Sequence, residues 1–273
     1  MKPFVRRRWM LSLATLGLAL VLAGAWRLSA IALRPVAMYT GWLLLALVAG
    51  LSFFNARKKL PFLPLLDANT WMQAHVYTGW LAVLVYFLHA GFRWPDGRLE
   101  SLLALVFYVV AASGVFGLWL SRWLPPRLAR SGESLVYERI PLLRHRLLAE
   151  VKETVRKAER ETQSTTLGDF HLNFLSGYFS RRPGLLSPLA GEDRAHHLVS
   201  RELTALRRFL NDREAVFADQ LAGFVETKRN LDFQLAGQRL LKVWLFVHVP
   251  LTFALLVLLA AHVWLALHFS HRL

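Results

Sequence analysis

Apolar and polar residues follow one another along the chain in long blocks, without the strict alternation of strands. Five apolar runs approach the about 20 helical residues that cross a hydrocarbon core about 30 Å thick. They cover residues 9–26, 36–54, 75–92, 102–120 and 243–269. The pattern predicts an all-α polytopic membrane protein with five transmembrane helices.

The first run follows a basic cluster, Arg6, Arg7 and Arg8, as in many secretory signal peptides. Its apolar stretch is longer than the about 7–15 residues of a signal-peptide core. We therefore expect a retained membrane helix.

The segment between the fourth and fifth runs differs in composition, because residues 123–240 hold 15 of the 18 acidic residues. It contains no phosphate-binding loop or dinucleotide fingerprint. The segment contains three predicted helical stretches. The second is HLVSRELTALRRFL, and the third runs from about Glu214 into the last membrane run. The first has one apolar face, made of Leu135, Ile140, Leu143, Leu147, Val151 and Val155. The chain thus divides into 1–122 (four membrane helices), 123–240 (a helical insertion) and 241–273 (a fifth membrane helix).

Basic residues mark one side of the predicted membrane protein. They are Lys2, Arg6, Arg7 and Arg8 before the first run, Arg57, Lys58 and Lys59 after the second, and Arg122, Arg127 and Arg130 after the fourth. The positive-inside rule therefore predicts an inner (cytoplasmic) membrane protein with a cytoplasmic N-terminus and a cytoplasmic insertion. The C-terminus is expected outside.

Composition supports the membrane assignment and excludes several chemistries. The sequence is 55% hydrophobic with a mean hydropathy of +0.36. It has no cysteine, which excludes disulfides, cysteine-ligated iron–sulfur or zinc sites and covalent C-x-x-C-H haem. The net charge of +15 is accounted for by cytoplasmic loops, so no nucleic-acid partner is expected.

Two of the apolar runs are bracketed by histidines at one repeated spacing. They are HVYTGWLAVLVYFLH, from His75 to His89, and HVPLTFALLVLLAAH, from His248 to His262. Fourteen helical residues rise about 21 Å and turn about 1400°, only some 40° short of four full turns. Both rings of one helix thus face nearly the same way, one near each membrane surface.

The third and fifth helices are expected to be parallel, because one spanning helix lies between them. His75 then faces His248 at the cytoplasmic level, and His89 faces His262 at the outer level. Paired neutral imidazoles across a helical bundle are what axial ligation of haem iron requires. Without cysteine the haem must be b-type, so the pattern predicts two haems b, with Gly41, Gly50, Gly79, Gly114 and Gly117 allowing flat rings to approach the helices.

This arrangement resembles the di-haem core of the cytochrome b superfamily. In that family a four-helix bundle carries, on its second and fourth helices, two histidines separated by thirteen residues. The resemblance covers roughly 36–122 and 241–269, so the last four membrane helices form the bundle and the first is an addition. It implies transmembrane electron transfer, possible use of quinone and partner redox subunits such as a c-type cytochrome, an iron–sulfur protein or a flavoprotein. The chain is then an electron-transfer subunit of a larger oxidoreductase complex, with no catalytic residue of its own.

One cation and two alternatives complete the sequence-based predictions. Arg93 lies four residues after His89, on the same helical face, and is predicted to neutralise a propionate of the outer haem. The alternatives are a non-redox membrane scaffold or assembly protein, and a metal-ion transporter that uses the membrane histidines. A transporter is expected to carry acidic or broken-helix sites at mid-membrane, and none of the five runs contains Asp or Glu.

Overall fold

The computed structural model describes residues 3–33, 35–55, 68–130, 135–185, 188–189 and 194–269. Every regular element among them is helical and none is a strand, which confirms the all-α prediction. The helices are α1 (Pro3–Ile31), α2 (Val36–Ser52), α3 (Ala68–Ala90), α4 (Arg98–Arg130), α5 (Ile140–Thr162), α6 (Thr166–Phe170), α7 (Ser176–Ser180), α8 (Arg194–Leu206) and α9 (Asp212–Phe269). Short 3₁₀ turns cover Phe53–Asn55, Tyr137–Arg139 and Arg207–Phe209, and a π-helical turn, His171–Leu175, joins α6 to α7.

Within the described residues three helices, α1, α4 and α9, are long and apolar enough to cross a membrane. Helix α2 is equally apolar but has 17 residues. Helix α3 has 23 residues, and its first turns carry the polar Asn69, Thr70 and Gln73. The protein therefore has membrane-type helices, while the two further spans and the orientation stay predictions. The basic Lys58 and Lys59 lie outside the described residues.

The chain divides into two compact units. The first comprises Met1–Leu118 with Leu245–Leu273, and the second comprises Trp119–Trp244. Helices α4 and α9 each contribute residues to both units. All four histidines of the repeated pattern belong to the first unit.

A single buried cluster joins four helices of the first unit. Helix α2 contributes Leu44 and Val48, α3 contributes Ala82, Val85 and Tyr86, α4 contributes Ala104 and Phe107, and α9 contributes Leu255 and Leu259. Large apolar side chains elsewhere in the first unit remain exposed, including Val21 of α1 (66%) and Val257 of α9 (70%). An exposed apolar surface of this kind is expected where helices face lipid.

The second unit has a hydrophobic core of its own. The apolar face predicted for α5 is confirmed, since Ile140, Leu147, Val151 and Val155 are all buried. The core also encloses an ionic group, in which the Asp232 carboxylate pairs with Lys228 and with Arg144, the latter at 3.0 Å. Burying an unpaired charge costs free energy, and here the buried carboxylate is paired with two cations.

Candidate functional site: two histidine pairs

The structure brings the four histidines together in two pairs. The rings of His89 on α3 and His262 on α9 have centroids 6.4 Å apart, with planes at 86°. His75 lies within electrostatic range of His248. The first histidine of α3 is thus near the first of α9, and the second near the second. The paired segments of α3 and α9 therefore run in the same direction.

The distance between the rings of His89 and His262 suits two ligands of one metal ion. A metal–imidazole nitrogen bond is about 2.0 Å long, and the ring centroid lies roughly 1.2 Å beyond the nitrogen. Two imidazoles on opposite sides of one metal ion thus have centroids about 6.4 Å apart. His89 and His262 have that separation.

The hydrogen bonds of His89 fix which ring nitrogen is available. Its Nδ1 lies 3.0 Å from the Ala37 carbonyl oxygen and 3.3 Å from Thr40 Oγ1. A carbonyl oxygen only accepts, so Nδ1 carries the proton and donates it. Nε2 then keeps its lone pair, as a metal ligand requires.

His248 reaches the same state through a different partner. Its Nδ1 lies 2.7 Å from Ser113 Oγ, and that hydroxyl donates to the Val110 carbonyl oxygen at 2.8 Å. With the serine proton used in this bond, the Ser113 oxygen can accept from Nδ1–H of His248. In that arrangement the ring proton is on Nδ1, as in His89.

Glycines stand beside these two histidines. A Cβ added at Gly41 of α2 would lie 3.0 Å from Cε1 of His89, tighter than most carbon–carbon contacts. A Cβ at Gly114 of α4 would lie 3.8 Å from Cε1 of His248, an ordinary contact. Gly41 and Gly114 thus lie beside imidazole rings, whereas Gly50 and Gly79 have nothing within 4 Å, and the approach of haem to these glycines stays a prediction.

The other two histidines have a different environment at Nδ1. In the part of the chain that the structure describes, Nδ1 of His75 and Nδ1 of His262 are buried and have no hydrogen-bond partner. The Phe54 ring lies 4.7 Å from the ring of His75. Nδ1 of His262 faces Oε1 of Glu100 at 3.6 Å.

Arg93 does not occupy the position that helical periodicity predicted. Helix α3 ends at Ala90, and Gly91 and Phe92 adopt left-handed conformations with φ of 61° and 59°. The four-residue relation to His89 is therefore broken, and the argument that placed Arg93 on the same helical face is wrong. Its side chain is exposed in the turn before α4.

Sequence reasoning missed the residues that orient the rings. Thr40, Ser113 and Glu100 lie on α2 and α4, at positions that the spacing within α3 and α9 does not address. A polar residue within or next to an apolar run is itself a signal, since each of these three needs a polar partner in such surroundings.

A search of the described residues finds no group of three or more His, Cys, Asp or Glu side chains able to hold a metal ion. A pair of axial haem ligands falls below that number. No protein-family model, curated protein or solved structure matches the chain.

Proposed function

We propose that this chain is a membrane di-haem b-type cytochrome that carries electrons one at a time across the bilayer. The observation that carries the proposal is the 6.4 Å separation of the His89 and His262 rings, which suits axial ligation of one iron. When bound, haem iron alternates between its ferric and ferrous states and so stores one electron.

The protein residues have three tasks in this proposal. His89 with His262, and His75 with His248, supply the axial nitrogens at two levels about 21 Å apart along the helices. The Ala37 carbonyl and the Ser113 hydroxyl orient two of the rings. The apolar side chains of α2, α3, α4 and α9 exclude water around both pairs.

Electrons must enter and leave through other molecules, because the sequence has no motif for flavin and no cysteine for an iron–sulfur cluster or covalent haem. Quinone, or a partner subunit such as a c-type cytochrome, an iron–sulfur protein or a flavoprotein, is proposed for these roles. The second unit, proposed to be cytoplasmic, offers the docking surface.

The alternatives receive less support. A metal-ion transporter needs a cluster of ligands along its path, and the described residues contain no such group of three. A scaffold explains neither the repeated fourteen-residue histidine interval nor the 6.4 Å approach of the His89 and His262 rings.

The direct test is a pyridine haemochrome assay on the purified full-length protein. We expect two b-type haems per chain, both extractable with acid acetone. A protein that contains no haem, after expression in a haem-replete host, would refute the proposal. His268→Ala is the matched control for the axial variants, because His268 is also on α9 but is exposed and bonds the Trp264 carbonyl.

A further inference from the structure

The Glu100 carboxylate is placed against a histidine that the haem proposal uses. Glu100 lies in the first turn of α4, and its Oε1 is 3.6 Å from Nδ1 of His262. That separation is longer than a hydrogen bond, and a small rotation of the glutamate side chain closes it. Nδ1 of His262 is buried and has no hydrogen-bond partner among the described residues, and in the tautomer that leaves Nε2 for a metal it is a donor that lacks an acceptor.

A glycine beside Glu100 makes room for this placement. A Cβ at Gly97 would lie 1.9 Å from Oε2 of Glu100 and 2.8 Å from its Cδ. The carboxylate therefore rests over the Gly97 backbone, where any side chain would displace it. Gly97 and Glu100 together hold the negative charge on the side of His262.

The charge makes His262 different from the other histidines. Nδ1 of His89 bonds a carbonyl oxygen, and Nδ1 of His248 bonds a hydroxyl, both uncharged. A carboxylate that accepts from Nδ1–H fixes the tautomer, orients the ring and makes Nε2 a stronger electron donor.

We propose that Glu100 is a positioning residue for His262. Its carboxylate accepts a hydrogen bond from Nδ1–H of His262, which keeps the Nε2 lone pair for the metal. Its negative charge lowers the reduction potential of the haem held by His89 and His262. The inference rests on the proposed function. Its physical basis is that a more basic axial nitrogen, with a negative charge behind it, stabilises the ferric state more than the ferrous state.

A purely structural role for Glu100 predicts something else. An acidic residue in the first turn of a helix stabilises it through the helix dipole and the free backbone N–H groups. Replacing Glu100 would then lower stability without selecting one haem. The test must therefore include a measurement that helix stability does not change.

The experiment is a potentiometric titration of the full-length protein at one pH, with both haems resolved, for three variants. Glu100→Gln keeps the size of the side chain and removes its charge. Gly97→Ala keeps the carboxylate but displaces it, at little cost to folding because the flexible glutamate end moves. Asp96→Asn is the control, since Asp96 carries the same charge four residues earlier, just before α4, and is exposed.

We expect Glu100→Gln and Gly97→Ala to raise the potential of one haem and to leave the other in place, with Asp96→Asn unchanged. A tenfold change in the ferric preference corresponds to about 59 mV for one electron. No shift in Glu100→Gln, equal shifts of both haems, or the same shift in Asp96→Asn would each overturn the assignment.

A second readout separates this inference from the haem proposal. In haem-free protein labelled with ¹⁵N-histidine, the ring shifts should assign the Nδ1–H tautomer to His262, and Glu100→Gln should weaken that preference. Absence of haem from the native protein would end the proposed function, and an unchanged His262 tautomer in Glu100→Gln would end this inference.

Discussion

Replacing Gly41 by alanine tests how closely α2 approaches His89. The new Cβ would lie 3.0 Å from Cε1 and 3.4 Å from Nδ1 of the ring. Favourable carbon–carbon contacts are about 3.5–4.0 Å, so the ring must give by a few tenths of an ångström. It cannot move freely, because its Nδ1 is held by the Ala37 carbonyl at 3.0 Å.

The cost follows from these contacts. Overpacking of this kind costs about 1–3 kcal/mol, and losing the bond to Ala37 adds about 0.5–1.5 kcal/mol. Against this, Gly→Ala inside a helix by itself stabilises by about 0.5–1 kcal/mol. A net cost of about 0.5–4 kcal/mol weakens haem binding at this pair about 2- to 800-fold.

The assay compares Gly41→Ala with Gly50→Ala, which lies on the same helix with nothing within 4 Å of its added Cβ. Both variants gain the same helix propensity, so their difference isolates the contact with His89. Haem content, low-temperature EPR and the midpoint of unfolding in detergent are measured for each. Equal haem affinity and equal stability of the two variants would refute the close approach of α2.

Three further predictions concern the histidine pairs, Ser113 and His171. His75→Ala and His248→Ala should share one spectral and redox phenotype, and His89→Ala and His262→Ala another, by EPR with potentiometric titration; a match between His75→Ala and His262→Ala would contradict the pairing. Ser113→Ala should lower the affinity of the His75–His248 pair for haem about 2- to 10-fold, while Ser52→Ala, whose hydroxyl only bonds the Val48 carbonyl, leaves it unchanged. Burial, and then the nearby Lys152, hold the pKa of His171 below its ordinary value of 6.5, so the unfolded state binds the proton more readily than the folded state. Hydrogen exchange of residues 166–180, corrected for intrinsic rates, should therefore speed up as pH falls below about 6.5. A His171→Asn variant that kept this pH dependence would exclude His171 as its source.

The sequence predicted most of the helices but not where they end. Apolar runs mark the part of a helix that faces lipid or core, and a helix continues into polar sequence when its backbone bonds continue. The apolar run begins at His75, whereas helix α3 begins seven residues earlier, at Ala68. The helix ends at Ala90, where Gly91 takes the left-handed conformation that commonly terminates a helix.

Helices α6 and α7 escaped prediction for a different reason. Their sequence contains Gly168, Ser176 and Gly177, which disfavour a helix locally. The segment is helical because Leu167, Phe170, Leu175, Tyr178 and Phe179 are buried in the second unit. Tertiary packing overrides local propensity here, and no short window of sequence contains that information.

The candidate site divides in the same way. Which histidines share a helix face depends on the rise and turn of one helix, so the interval within α3 and within α9 suffices to predict it. The partners of Nδ1 depend on the register of other helices against these two. Thr40, Ser113 and Glu100 come from α2 and α4, and nothing in the spacing of the histidines determines that register.

Once the register is known, the histidine interval reappears on the partner helices. Helix α2 meets His89 through Ala37 and lies beside His75 through the backbone of Leu51, fourteen residues later. Helix α4 meets His262 through Glu100 and His248 through Gly114, again fourteen residues apart.

This repetition has a geometric cause. A helix that runs antiparallel to α3 or α9 rises by the same about 1.5 Å per residue, so it needs the same number of residues to reach both histidines. The interval is therefore a property of two levels, shared by all four helices, and only the chemistry of each contact is free to vary. That freedom is used at Glu100, where a charge stands at a position that on α2 is served by a backbone carbonyl.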